Sequence, residues 1–358
     1  MIRVLITGGA GFIGSNYIHH ALRVHPDWEI WNFDKLTYAG NLANLKDIEQ
    51  DARYHFVKGD IADAAAVVAV MKNGIELIIN FAAESHVDRS IKGSQEFLMT
   101  GVLGVQTLLD AAKEHGAKLF YQISTDEVYG DVEAGQYSTE ADILRPSSPY
   151  SAAKAAGDLL VLAYARTHGV PVIISRCTNN YGPYQYPEKM LALFVTNLLE
   201  NKHVPLYGDG QQIRDWLHVD DHCRAIDLLL DKGRRGEVYN VGANHQPELT
   251  NLQVTRLILD ELKADAAMID FVTDRPGHDR RYAVDTAKIS VLGWKPLVAP
   301  EEGLRRTVRW YKDNPDWWRP IKSGEFLKYY QEQYRKSPSS SHPSFPRQSS
   351  GQAGRRGV

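Results

Sequence analysis

Up to about residue 176 the chain alternates short apolar runs with longer amphipathic stretches. The runs occupy residues 3–7, 29–33, 54–57, 77–81, 119–124 and 172–175 and are rich in β-branched and aromatic side chains. Strand-length runs separated by helix-length segments predict repeated βα units, because a parallel crossover needs a dozen or more residues. The expected class is α/β: a Rossmann-type, doubly wound parallel sheet. The rhythm changes after residue 176. Loops carrying Pro and Gly at 181–187, 205–211 and 275–278 separate short helices. Residues 177–336 should form mainly a smaller domain on the carboxyl ends of the strands, where open sheets bind ligands, with room for a strand to cross back into the first domain. Residues 337–358 are rich in Ser, Pro, Gly, Gln and Arg without an apolar period. They are expected to be an unstructured tail, native or left from cloning.

Composition narrows the classes. Of 358 residues, 43% are hydrophobic and 24% charged, the usage of an ordinary globular protein. The net charge of −3 argues against a general nucleic-acid binder but leaves room for a local basic pocket. No run approaches the ~20 apolar residues of a membrane helix, so no membrane partner is expected. Cys177 and Cys223 are the only cysteines, which suits a reducing compartment. Met1-Ile2-Arg3 leads directly into an apolar run without a leader-like h-region, and a cytoplasmic protein is expected. No metal is expected.

The first candidate chemistry lies between the first run and the helix after it. Thr7-Gly8-Gly9-Ala10-Gly11-Phe12-Ile13-Gly14 is placed to make a tight turn, admit a pyrophosphate to the backbone and open a helix. The helix N-terminus, including Phe12 and Ile13, offers N–H donors and a positive dipole end to phosphates. Asp34 follows Gly14 by twenty positions at the end of the second run. An acidic residue there bonds a ribose 2′-hydroxyl and repels a 2′-phosphate, so NAD is favoured over NADP. Residues 1–176 then read as an NAD-binding domain. Asp60 and Ile61 end the third run and face the adenine edge in this reading. Phe81, Ala82, Ala83 and Ser85 end the fourth, where small residues leave room for a cofactor.

The second is Tyr150-Ser151-Ala152-Ala153-Lys154, at the start of a helix after Pro149. Tyr and Lys four apart share a helix face. A tyrosine acting as base near neutrality needs its phenol pKa brought down from ~10 toward ~7, ~4 kcal/mol, which a lysine ammonium and an oxidised nicotinamide can supply. The fifth run ends in Thr125-Asp126-Glu127. Thr125 can bond a substrate hydroxyl beside Tyr150. On a regular strand Asp126 and Glu127 would face opposite ways, but a turn at the strand end presents both. Adjacent carboxylates with separated pKa values suit acid and base roles.

Taken together these residues resemble the extended short-chain dehydrogenase/reductase family and, within it, the dTDP-glucose 4,6-dehydratases. The likeness spans about residues 1–333. It rests on the glycine turn, the runs 34–41, 82–90, 179–183 and 275–279, Thr125-Asp126-Glu127 and Tyr150/Lys154. Gly101 departs from it, standing where the family more often has Asn. The resemblance implies transient oxidation at sugar C4 by tightly bound NAD, loss of water across C5–C6 and hydride return to C6. It makes Tyr150 the base at the C4 hydroxyl, Glu127 the base at C5 and Asp126 the acid for the C6 hydroxyl, with Lys154 and Thr125 beside them. It adds Lys35, Leu36, Thr37, Thr100 and Asn180 to the cofactor site. It assigns Lys189, Arg214 and Arg275 to the nucleotide diphosphate, and Ser85, Asn179, Met190, Pro205, Leu206, Tyr207, Asn251 and His278 to the nucleotide-sugar pocket. It implies a homodimer formed by 99–115 and the helix from 151. The rivals are a 4-epimerase or a dehydratase of another nucleotide sugar, and a non-catalytic NAD-binding scaffold. Asp126-Glu127 argues against the epimerase, which has no C5 elimination to perform.

Overall fold

The computed structural model describes residues 1–334, so the segment 337–358 lies outside the described residues. The six apolar runs are β1 (Ile2–Thr7), β2 (Trp28–Asp34), β3 (Tyr54–Lys58), β4 (Leu77–Asn80), β5 (Leu119–Thr125) and β6 (Val172–Cys177). A seventh strand, β7 (Glu237–Val241), comes from the C-terminal region and pairs parallel with β6 through Val241 and Cys177. The sheet is parallel throughout, in the order β7-β6-β5-β4-β1-β2-β3. The order reverses between β4 and β1, which opens a crevice at the carboxyl ends of these two strands. Helices cover both faces, and β5 is accordingly buried along its whole length.

On one face α1 (Phe12–Val24) and α5 (Val219–Lys232) pack together, and Tyr17, Ile18, Ile226 and Leu229 meet Val4 and Ile6. On the other, α2 (Ala64–Met71), α3 (Val105–Glu114) and α4 (Pro149–His168) bring Val67, Leu108 and Val161 onto Leu5, Ile78 and Phe120. A separate core gathers Leu193, Phe194, Ile258, Leu304, Tyr311 and Trp318 from the helices Met190–Leu199, Asn251–Leu262, Pro300–Asp313 and Pro315–Ile321. The stretch after 176 is therefore not one body. Its α5 and β7 complete the first layer system, and the remainder builds the second. The backbone of β7 pairs with β6, which would otherwise be the open edge of the sheet.

Two local features fix the helix carrying Tyr150. Ser148 and Ser151 cap each other's backbone N–H groups at 3.1 and 3.0 Å, and Pro149 occupies the first helical position. Gly101 lies in a π-helical turn, Met99–Gly104, where an added Cβ would come within 3.2 Å of the Ala153 Cβ. No helix among the described residues is long and apolar enough to cross a membrane.

Candidate active site

A cleft of about 270 Å³ runs from the glycine turn to the ends of β5 and β6. Its floor at one end is backbone. Gly8 has φ +67°, and a Cβ there would lie 2.6 Å from the Ala82 nitrogen. At Gly14 a Cβ would meet the Gly8 carbonyl oxygen at 2.5 Å. Both positions exclude side chains and let β1, α1 and β4 approach closely. Gly11 starts α1 with no side-chain cap and no acidic residue in the first turn, so the helix N–H groups face the cleft unclaimed. Asp34, nearly buried at the end of β2, accepts from Ala10 N at 2.9 Å and Leu36 N at 2.7 Å. These bonds orient the carboxylate, and its remaining lone pairs can receive hydroxyl protons. Burial raises its pKa while the two amides pull it down. An uncapped helix start, a turn without side chains and an oriented buried carboxylate fit a dinucleotide.

The cleft also takes in Phe12, Ile13, Lys35, Thr37, Asp60, Ile61, Phe81, Ala82, Ala83, Ser85, Thr100 and Asn180. Lys35 reaches Asp60 at 2.8 Å. Leu36 alone of the expected cofactor residues is absent from the lining. Its backbone, at φ +57°, contributes the N–H to Asp34 instead.

At the other end β5 terminates in a 3₁₀ turn, Asp126–Tyr129, and this turn is what brings two consecutive carboxylates into one cleft. Asp126 is 2% exposed, and its Oδ2 has no hydrogen-bond partner among the described residues. Burial first, and then the charge of Glu127, push its pKa well above the carboxylate range. Burial also raises Glu127, but Arg275, Lys189 and Arg214 oppose that rise. Burial therefore raises both carboxyls; Arg214 opposes the rise at both, and Arg275 and Lys189 oppose it at Glu127.

Tyr150 and Lys154 both line this end. Lys154 donates its Nζ to the Ile123 carbonyl at 2.6 Å, and burial lowers its pKa. The expected lowering of Tyr150 is not produced by the chain's own residues. Burial and the charge of Glu127 raise its pKa, and hydrogen bonding from Thr125 only partly opposes them.

The expected substrate residues divide. Ser85, Thr125, Asn179 and Lys189 line the cleft, and Lys189 donates to the Ser85 carbonyl. Arg214 and Arg275 lie outside the lining, but their charges oppose the rise in the pKa of Glu127. Tyr207 and Arg275 converge on Asp88, at 2.8 and 3.2 Å. His278 bonds Asp274 at 2.6 Å, with its ring 6.0 Å from that of Tyr207. Met190 begins its helix next to Lys189. Pro205, Leu206 and Asn251 are buried outside the lining, with Leu206 in the second core. Sequence reasoning gave no role to Glu84, Cys177, Thr178, Asp88 or Tyr282. Glu84, Cys177 and Thr178 line the cleft, and Tyr282 lies under the Arg214 guanidinium at 4.2 Å. The position of Cys177-Thr178 at a strand's carboxyl end was a usable signal. Nothing local marks Tyr282.

Fold and site together define an NAD-binding enzyme of the extended short-chain dehydrogenase/reductase type. Comparison with known proteins narrows this. Residues 5–307 match the family described as GDP-mannose 4,6 dehydratase. The chain is 51% identical over 327 residues to a dTDP-glucose 4,6-dehydratase of Streptomyces niveus, covering 90% of this chain and 96% of that one. The structure is similar to DesIV, a dTDP-glucose 4,6-dehydratase from Streptomyces venezuelae crystallised with NAD, at TM-score 0.87 and 51% identity, over 90% of this chain and 100% of that one. A UDP-glucose 4-epimerase from Thermotoga maritima is more distant, at TM-score 0.81 and 29% identity, over 88% of this chain and 100% of that one. The chain belongs to the dTDP-glucose 4,6-dehydratase family.

Proposed function

We propose that this cleft dehydrates dTDP-glucose to dTDP-4-keto-6-deoxyglucose, a hydro-lyase reaction using NAD. The observation that carries the reading is the pair of carboxylates, Asp126 and Glu127, that the 3₁₀ turn at the end of β5 brings into the cleft beside Tyr150 and Lys154. When bound, NAD supplies a hydride acceptor at C4 and a hydride donor at C6. The protein moves the protons. Tyr150 takes the C4 hydroxyl proton. The C4 ketone acidifies the C5 proton, and Glu127 removes it. Asp126, neutral, protonates the departing C6 hydroxyl, and Glu127 returns its proton to C5. Arg214, Arg275 and Lys189 carry the positive charge a nucleotide diphosphate requires. An epimerase would have no use for Asp126 and Glu127.

Exposed apolar side chains support a homodimer. Leu98, Met99 and Leu103, 39–50% exposed, precede α3, and Leu159, 58% exposed, lies on the neighbouring α4. Such a patch suits a second copy's helices. The function is tested by incubating the protein with dTDP-glucose and weighing the product. Loss of one water supports it, whereas an isobaric C4 epimer refutes it.

A further inference from the structure

The glycine turn is held from a part of the chain that does not line the cleft. Ala10, inside the turn, is bonded through both its backbone groups. Its N–H donates to Asp34 Oδ2 at 2.9 Å. Its carbonyl accepts from Asn41 N at 2.9 Å and from Asn44 Nδ2 at 3.0 Å. Asn41 caps the 3₁₀ segment Leu42–Ile48, to which Asn44 belongs. This segment follows directly on Thr37, Ala39 and Gly40 of the cleft wall. The wall packs onto the ribose-binding carboxylate: a Cβ at Gly40 would lie 3.0 Å from Asp34 Oδ1.

Asn44 is 1% exposed, and its Oδ1 accepts from the indole Nε1 of Trp317 at 2.7 Å, across 273 positions of the chain. The two partners fix the amide's orientation. Turned over, it would set its oxygen against the Ala10 carbonyl and its NH₂ against the indole N–H. Trp317 is itself anchored. It lies on the helix Pro315–Ile321, whose next residue, Trp318, is 1% exposed in the second core and donates to the Tyr311 carbonyl at 2.8 Å. The Trp317 ring meets those of Trp310, Tyr184 and Tyr311 at 5.2, 5.8 and 6.1 Å.

We propose that Trp317 is a positioning residue that retains the cofactor. Through Asn44 it locks the wall at 36–48 onto the glycine turn, so that the wall opens rarely and NAD leaves slowly. Opening breaks both amide bonds of Asn44 and strands buried polar groups, which is costly. The second core thereby acts on the cofactor end without touching it. A cofactor returned to its oxidised form in each turnover has no need to leave, so slow release does not limit the reaction. That use of the lock rests on the dehydratase reading, whereas the lock itself requires only that NAD occupies the cleft.

The test is release of radiolabelled NAD from the holoenzyme, chased with excess unlabelled NAD. Trp317→Phe keeps an aromatic ring and removes the N–H. Its release should be faster by ~10-fold, the scale of one buried hydrogen-bonding group left unpaired. Its turnover of dTDP-glucose at saturating NAD should stay at the wild-type level. Trp310→Phe, a ring change in the same cluster but outside this chain of hydrogen bonds, should release NAD at the wild-type rate. Wild-type release from Trp317→Phe overturns the proposal. Equal acceleration by Trp310→Phe also overturns it, because packing alone would then account for the effect. Should Trp317→Phe not fold, Asn44→Asp tests the other bond, keeping the acceptor for the indole and losing the donor to Ala10. Faster release supports the lock, and wild-type release overturns it. If the dehydratase reading itself is wrong, the wild type forms no dehydrated product, yet the release rates still separate the variants.

Discussion

Lys154 is bonded through its Nζ to the backbone carbonyl of Ile123, 2.6 Å away and two residues before Thr125. The bond pins α4 to the end of β5. It sets Tyr150, one turn earlier on α4, beside Thr125 and the two carboxylates. It also commits the lysine to a carbonyl, so the burial of Tyr150 is left to dominate its ionisation.

Tyr150 should therefore remain a neutral phenol in protein stripped of NAD, ionising only above the ordinary ~10. A pH titration of tyrosinate absorbance, taken as the difference between wild type and Tyr150→Phe, measures this. Saturation with NAD should move the transition down. An unmoved transition means that the cofactor's charge does not reach the phenol.

Glu127→Gln removes the C5 base and keeps the shape of the site. The variant should reduce its bound NAD on mixing with dTDP-glucose and then stall, with turnover lower by ~10²–10⁴. Asp126→Asn should lose activity on the same scale, since an amide cannot supply the leaving group's proton. Full turnover by Glu127→Gln would remove its assigned role.

Asp158, one turn beyond Lys154 on α4, accepts from Arg176 Nε of β6 at 2.9 Å, and both are almost wholly buried. Arg176 also donates to the Tyr129 hydroxyl at 2.8 Å, linking this pair to the carboxylate turn. Asp158→Ala strands a buried guanidinium and should cost ~3–5 kcal/mol of stability. Chemical denaturation measures it, and a loss below ~1 kcal/mol would mean that the pair is dispensable.

His222 is buried neutral, its pKa lowered to about 3 by burial, with Nδ1 2.9 Å from Asn180 Oδ1. The unfolded chain protonates this histidine near its ordinary ~6.5. Its contribution to stability is then fully present above ~6.5 and is lost as pH falls toward about 3, at ~1.4 kcal/mol per pH unit. Denaturation midpoints across that window should fall more steeply for the wild type than for His222→Gln. Equal slopes would place the acid sensitivity elsewhere.

Leu159→Glu puts a charge at the centre of the exposed α4 face. If that face pairs with a second copy, sedimentation should give a dimer for the wild type and a monomer for the variant. A monomeric wild type removes the pairing.

Much of this was legible locally. The six apolar runs located six of the seven strands of the central sheet within two residues at either end, because strands buried on both faces must be apolar throughout. Gly8, Gly14 and Asp34 marked the cofactor end, because the turn's sterics and the strand's end impose those residue types. Thr125-Asp126-Glu127 and Tyr150/Lys154 pointed to a chemical end only in company with the glycine turn and the family resemblance, since such spacings alone are common on exposed turns and helices. The sequence by itself thus determined the fold class, the cofactor turn and the identity of the reactive groups, all of which depend on neighbours along the chain. Only the tertiary structure decided their surroundings. The 3₁₀ turn brings Asp126 and Glu127 into one cleft, and Arg214, Arg275 and Lys189 bring their charges to it from distant segments of the chain. The return of β7 to the first sheet and the position of Tyr282 under Arg214 likewise depend on contacts between segments far apart in the chain, which no local pattern encodes.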